Sequence, residues 1–263
     1  MSLQDGSRRV QKKLGSFVGI YRNKFYSITD SIRLVVAQYF LTRSFEEIKS
    51  GISFNRILDD RARFDYQPVI EQMTVFLPHM MARKIPKANV QQAFVLDSVY
   101  KFIKTKSHPK ILCVGSYEDT AAASLKMLGY RIVEIDPVLN YDLDTFFHLP
   151  TTLKENYDII FSTSVIEHVE DDETFISQIA ELLEPGGVCI LTCDYNNNYK
   201  PGDRLPKTDI RFYTKKDFLE RLIPCAKGCL LIDDPRWDES LPDFIYDGCL
   251  YSFATLTLQK VEL

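Results

Sequence analysis

The chain has 263 residues, enough to bury one substantial core or a core with an appendage. Charged residues make up 26% and hydrophobic ones 45%, an ordinary globular balance, and the net charge of −4 argues against a nucleic-acid or anionic-membrane partner. No apolar run approaches the roughly 20 residues that cross a bilayer, and the opening MSLQDGSRRVQKK carries charge with no apolar stretch behind it, so neither a span nor a secretory signal is expected.

Upstream of residue 108 the pattern is helical. Arg8, Arg9, Lys12 and Lys13 cluster near the start and read as a solvated helix face. Ile32, Val35, Val36 and Phe40 recur at helical spacing, with Gly51 as a stop. Phe94, Val95, Val99 and Phe102 repeat the pattern, and KSHPK (106–110) breaks it. Residues 1–108 are therefore expected to form a helical N-terminal extension that caps a sheet domain over 109–263.

From residue 110 short strands alternate with helices. The strands expected are 111–114, 131–135, 157–162, 187–194, 229–233 and 250–260, and the helices fall near 119–128, 171–183 and 214–222. Such alternation implies an α/β fold with a mostly parallel, doubly wound sheet covered on both faces. No helix separates LLIDDPRW from CLYSFATLTLQKV, so the C-terminal strand is expected to return antiparallel. The six cysteines form no C-x-x-C pair, and three lie in strand-like runs. Buried free thiols in a reducing cytoplasm are expected, and no metal site.

Two stretches carry chemistry. ILCVGSYEDTAAASLKMLGYRIVEIDP runs from a strand through a turn at Gly115 and a helix to a second strand, which ends in Asp136 about 20 residues after that glycine. That is the layout of a nucleoside-binding unit. Farther on, NYDIIFSTSVIEHVEDDETFISQIAELLEPGGVCILT places Glu167-His168-Val169 after one strand and Pro185-Gly186-Gly187 before the next. Together these resemble the class I S-adenosylmethionine-dependent methyltransferases, in particular the subgroup with E-H-V after the fourth strand, over residues 110 to about 258.

The resemblance implies a Rossmann-like sheet with S-adenosylmethionine as cofactor, and methyl transfer by in-line displacement to a small-molecule or glycan-type acceptor. It sets Gly115 against the methionine part of the cofactor and gives Asp136 the ribose hydroxyls. Ser162 and Thr163 fall at the strand end facing the cofactor. The usual third strand is reduced to LNYDL (139–143), with Asp142 or Asp144 as the acid for the adenine amino group. The sequence also departs from the pattern: Cys113 stands where an acid is usual, Tyr117 replaces the second glycine and Asp119 the third. In the loop Ser116, Tyr117, Glu118 and Asp119, the two acids either hold the cofactor's ammonium or repel its carboxylate.

His168 is a candidate general base, or else a packed residue at a helix start. Arg204, Arg211, Tyr213 and Trp237 could meet an acceptor or serve the surface and core. Two other readings stay open. A nicotinamide-dependent oxidoreductase would need G-x-G-x-x-G, but positions 115, 117 and 120 are Gly, Tyr and Thr. A methyltransferase-like module that only binds would explain the altered loop. No feature of the sequence sets an oligomeric state.

Overall fold

Four consecutive apolar residues, Ile111–Val114 (β1), are buried and pair in parallel with Ile132–Ile135 (β2) on one side and Tyr157–Thr163 (β3) on the other. The structure is a computed structural model and describes residues 45–48, 51–238 and 241–262. The expected helix through Ile32–Phe40 and the basic cluster Arg8–Lys13 lie outside the described residues. Beyond β3 come Leu183–Tyr195 (β4), Cys229–Leu231 (β5), Phe244–Tyr246 (β6) and Cys249–Lys260 (β7). The sheet order is β2-β1-β3-β4-β7-β5, and β6 pairs with the start of β7. β7 runs antiparallel to both β4 and β5, so the sheet is mostly parallel with a reversed C-terminal strand.

The helices are Asp60–Asp65 (α1), Gln67–Phe76 (α2), Pro78–Met81 (α3), Asn89–Ile103 (α4), Thr120–Met127 (α5), Leu143–His148 (α6), Asp172–Leu182 (α7) and a helical segment over 215–225 (α8). Alternation along each strand divides the core. Leu112, Val114, Ile160 and Leu191 pack with Phe175, Ile176 and Ile179 of α7 and with Phe218 and Trp237. Their neighbours Ile111, Cys113, Phe161 and Ile190 are equally buried, and α4 packs on β3 and β4 beside α5. Residues from Glu46 onward group as one unit, because α4 is buried along most of its length between the sheet and its neighbouring helices.

Local chemistry sets the element ends. Asp119, Asp142 and Asp171 each accept a hydrogen bond from a first-turn backbone N–H of α5, α6 and α7, and Thr214 and Asp217 form a reciprocal cap on α8. The cap at Asp142 overturns the third-strand reading of LNYDL. Residues 137–140 form a turn and bend, 141–142 are irregular, and Leu143 opens a helix because the Asp142 carboxylate takes the Thr145 N–H at 2.7 Å. Pro185-Gly186-Gly187, expected before the strand, lies within it. It forms a bulge inside β4, where Gly186 has φ +80° and a Cβ on Gly187 would come 2.7 Å from the Tyr157 carbonyl oxygen.

The sheet order positions the site. From β1 the chain passes to β2 on one side, and β3 lies on the other, so the carboxyl ends of β1 and β3 diverge into a crevice. In open α/β sheets ligands bind at this switch point.

Candidate functional site

A cleft of about 880 Å³ opens there, lined by Val114 and Gly115 after β1, Ile135 and Asp136 at the end of β2, and Thr163 and Ser164 at the end of β3. Gly115 takes φ +80°, and any Cβ on it would be driven into the Val165 side chain. Only glycine fits that angle and that approach. The Gly115 and Ser116 N–H groups both donate to the Ile135 carbonyl, which fastens the turn to the end of β2.

Asp136 is buried and faces the cleft. Its Oδ2 accepts from the Tyr117 N–H at 3.0 Å and its Oδ1 from the Val138 N–H at 2.7 Å. An ionised carboxylate offers about four lone-pair sites, so two remain for hydroxyls. The backbone bonds hold the group in place and leave it able to accept.

The loop differs from the sequence expectation in detail. Tyr117 has no positive φ; Glu118 takes that conformation instead, at +55°. Glu118 is bound from outside the loop, by Arg83 at 2.7 Å and Lys84 at 3.9 Å. Asp119 is buried at the start of α5, where Oδ1 takes the Ala122 N–H at 2.7 Å and Oδ2 the Gln92 amide at 3.2 Å. Burial pushes its carboxyl above the usual range against these bonds. Both acids line the cleft, but each is already engaged.

Tyr117, with Val138 and Tyr141, forms an exposed apolar rim. Ser116 and Ser162 do not line the cleft, and the Ser162 hydroxyl is turned into the sheet toward the Val114 carbonyl at 2.8 Å. Asp142 and Asp144 line the far end with Leu143, Phe175 and Gln178. Asp142 is held low by the Thr145 bonds, and Asp144 accepts the Gln178 amide at 2.6 Å. Lys84 and Gln92, from the segment before β1, complete the wall. The sequence marks neither; Gln92 is one of several polar residues in α4, beside Gln91, Asp97 and Lys101.

After β3, Ser164 adopts φ +55° and its hydroxyl donates to Glu167 Oε1 at 2.6 Å. Glu167 points away from the cleft into a fully buried position, whereas His168 lines the cleft. The acceptor-side candidates have other duties. Arg204 donates to the Asp247 carbonyl, and Arg211 to the Glu170 carbonyl and the Asp172 carboxylate. Tyr213 and Trp237 are buried with their polar atoms satisfied by Asp172 and the Thr255 carbonyl. All six cysteines are free and five are buried; no described helix is long and apolar enough to cross a membrane.

A family described as a methyltransferase domain matches residues 87–222. A ubiquinone biosynthesis O-methyltransferase of Rickettsia bellii (strain OSU 85-389) is 25% identical over 115 residues, covering 38% of this chain and 48% of that protein. A protein of the same name from Chelativorans sp. (strain BNC1) is 33% identical over 70 residues, 27% of each chain. The chain thus spans about half the length, or less, of the curated relatives it matches. Among solved structures, the Burkholderia thailandensis 1,6-didemethyltoxoflavin-N1-methyltransferase is 14% identical, covering 76% of this chain and 91% of that chain with a TM-score of 0.47.

Proposed function

This chain belongs to the methyltransferase-domain family that matches more than half of it, and on that premise we propose that it moves the methyl group of S-adenosylmethionine to a hydroxyl of a small-molecule acceptor. The observation that carries the reading is Asp136, a carboxylate with lone pairs to spare, set opposite a glycine turn at the switch point of a parallel sheet. The cleft fits the cofactor. Its glycine turn leaves no room for a Cβ beside Val165, and the polar groups of its wall are oriented before any ligand arrives.

When bound, the cofactor supplies a methyl group on a sulfonium, which leaves readily in an in-line displacement. In this reading Asp136 accepts the ribose hydroxyls. Asp142 or Asp144 would take the adenine amino group, and Leu143 and Phe175 would supply apolar lining there. Gly115, Tyr117, Glu118, Asp119 and Thr163 would hold the methionine part. Lys84 lies on the same side with a charge suited to a carboxylate. His168 is the base that takes the acceptor's proton, because it is the imidazole on the cleft wall. The names of the two curated relatives, both O-methyltransferases, favour a hydroxyl as the attacking group. A glycan-type hydroxyl is one form of such an acceptor.

Calorimetric titration with S-adenosylhomocysteine tests the reading. Micromolar binding to the wild type is the expected result. No binding to a folded wild-type protein would overturn the assignment.

A further inference from the structure

Behind His168 lies a group of acids that cofactor binding does not use. Glu167 is fully buried, Asp194 is 4% exposed, and the Asp209 side chain is also 4% exposed. Glu167 Oε2, Asp194 Oδ1, Asp209 Oδ2 and Ser252 Oγ are buried without a hydrogen-bond partner among the described residues. No group of three or more His, Cys, Asp or Glu among these residues is arranged to hold a metal ion. Asp194 has Glu167, Asp209 and the Tyr251 hydroxyl as neighbours, and burial with the two carboxyls disfavours its charged form.

Asp209 has a second neighbour. His168 Nδ1 is 2.9 Å from the Thr208 carbonyl oxygen and 3.4 Å from Asp209 Oδ1. The Thr208 carbonyl can only accept, so Nδ1 carries the hydrogen, and the Asp209 carboxyl lies beside that N–H. A neutral imidazole with hydrogen on Nδ1 keeps its lone pair on Nε2, on the side away from the 208–209 segment.

We propose that Asp209 is a positioning residue that, with the Thr208 carbonyl, locks His168 in the Nδ1–H tautomer and so presents Nε2 as a proton acceptor to the cleft. Burial and the nearby Glu167 and Asp209 push the Asp194 carboxyl up, with the Tyr251 hydroxyl opposing them. The proton balance closes. In transfer the acceptor's O–H bond would break and its electron pair would form the bond to the methyl carbon, while the carbon–sulfur bond would break with its pair left on sulfur; the proton would move to Nε2. The resulting imidazolium has Nδ1–H directed at an acid. The proposal depends on His168 being the base named above, but its test does not require turnover or a known acceptor.

Two-bond ¹H–¹⁵N spectra of ¹⁵N-labelled protein report which imidazole nitrogen is protonated, and His168→Gln assigns the signal among the four histidines. In the neutral wild type we expect Nδ1 protonated and Nε2 bare. Asp209→Asn offers an amide hydrogen to Nδ1 and should shift the population to the Nε2–H tautomer by about tenfold, with S-adenosylhomocysteine affinity unchanged within about twofold. An Nε2–H wild-type imidazole, or a tautomer that Asp209→Asn leaves unmoved, overturns the proposal. Should Asp209→Asn fail to fold, the wild-type tautomer decides alone. Failure of S-adenosylhomocysteine to bind counts against the cofactor reading, and the tautomer still decides this one.

Discussion

The turns after β1 and β3 face the same cleft and each contains one non-glycine residue at φ +55°, Glu118 in the first and Ser164 in the second. Their charges are handled in opposite ways. In the first, Asp119 caps a helix, Asp136 holds two backbone N–H groups, and Glu118 meets Arg83. In the second, Glu167 is buried near Asp194 and Asp209 with oxygens left unpaired. In the first turn the polar groups already have partners within the protein. The second retains buried carboxyl oxygens without partners beside an imidazole, which costs stability.

The largest blow to this contrast should come from Gly115→Ala. The methyl group meets Val165 and the residue is forced into the left-handed region, so a loss of about 2–4 kcal/mol in urea denaturation is expected, together with loss of S-adenosylhomocysteine binding. Adding Val165→Ala should recover the steric part and leave the backbone part. A Gly115→Ala protein as stable as wild type would show that the turn is not rigid.

Next in size is Asp136→Ala. Losing a charge-assisted contact should weaken S-adenosylhomocysteine by about ten- to a hundredfold, or about 1.5–3 kcal/mol. Unchanged affinity in calorimetry would remove Asp136 from the ribose site.

The second turn should respond in the opposite direction. Burial, then Glu167 and Asp209, hold the Asp194 carboxyl well above the usual range, and burial raises Glu167 as well. A carboxyl raised in the folded state takes up its proton on folding. Stability is therefore lost as pH climbs from the unfolded carboxyl range, near about 4, through the raised folded value. Asp194→Asn removes that loss and gives Asp209 an N–H donor. Urea denaturation should show a gain of about 1–2 kcal/mol at pH 7 to 8 that shrinks toward pH 4. A destabilised Asp194→Asn across that whole range would mean the acids are not in conflict.

The smallest effect belongs to Glu118→Gly. Relief of the left-handed angle, about 1–2 kcal/mol, is offset by the more flexible unfolded chain and by an ion pair largely in solvent. A net change within about 1 kcal/mol in thermal denaturation is expected. A larger loss would make the Arg83 contact structural.

What could be read from sequence follows the same division. β1, α5, β2, Gly115 and Asp136 were legible because an apolar run, a glycine and a terminal acid lie within one short stretch. Tyr117 stands where the family pattern has a glycine, yet positive φ falls on Glu118, one position on, and only coordinates reveal that. The remnant strand at LNYDL failed for a local reason. Asp142 and Thr145 fit a helix cap as well as any strand edge, and the cap bond won. β6 was missed because Phe244–Tyr246 is three residues long and gains its pairing only from β7. Lys84, Gln92 and Asp209 were illegible because they reach the site from segments far away in the chain.

β7 lies between β4 and β5 yet comes after both in chain order, and residues 54–58 are also tied to it: the Asn55 side chain bonds to the Thr257 N–H at 2.7 Å and to its carbonyl, and the Leu58 N–H to the Phe253 carbonyl. These contacts bridge about 200 residues of sequence. At a translation rate of about 5–20 residues per second, β4 spends several seconds on the ribosome with an unpaired edge before its neighbour emerges. Synthesis thus leaves an adhesive edge open, and chaperone occupancy of nascent chains stalled before residue 249 should exceed that of chains stalled after residue 260 has cleared the exit tunnel.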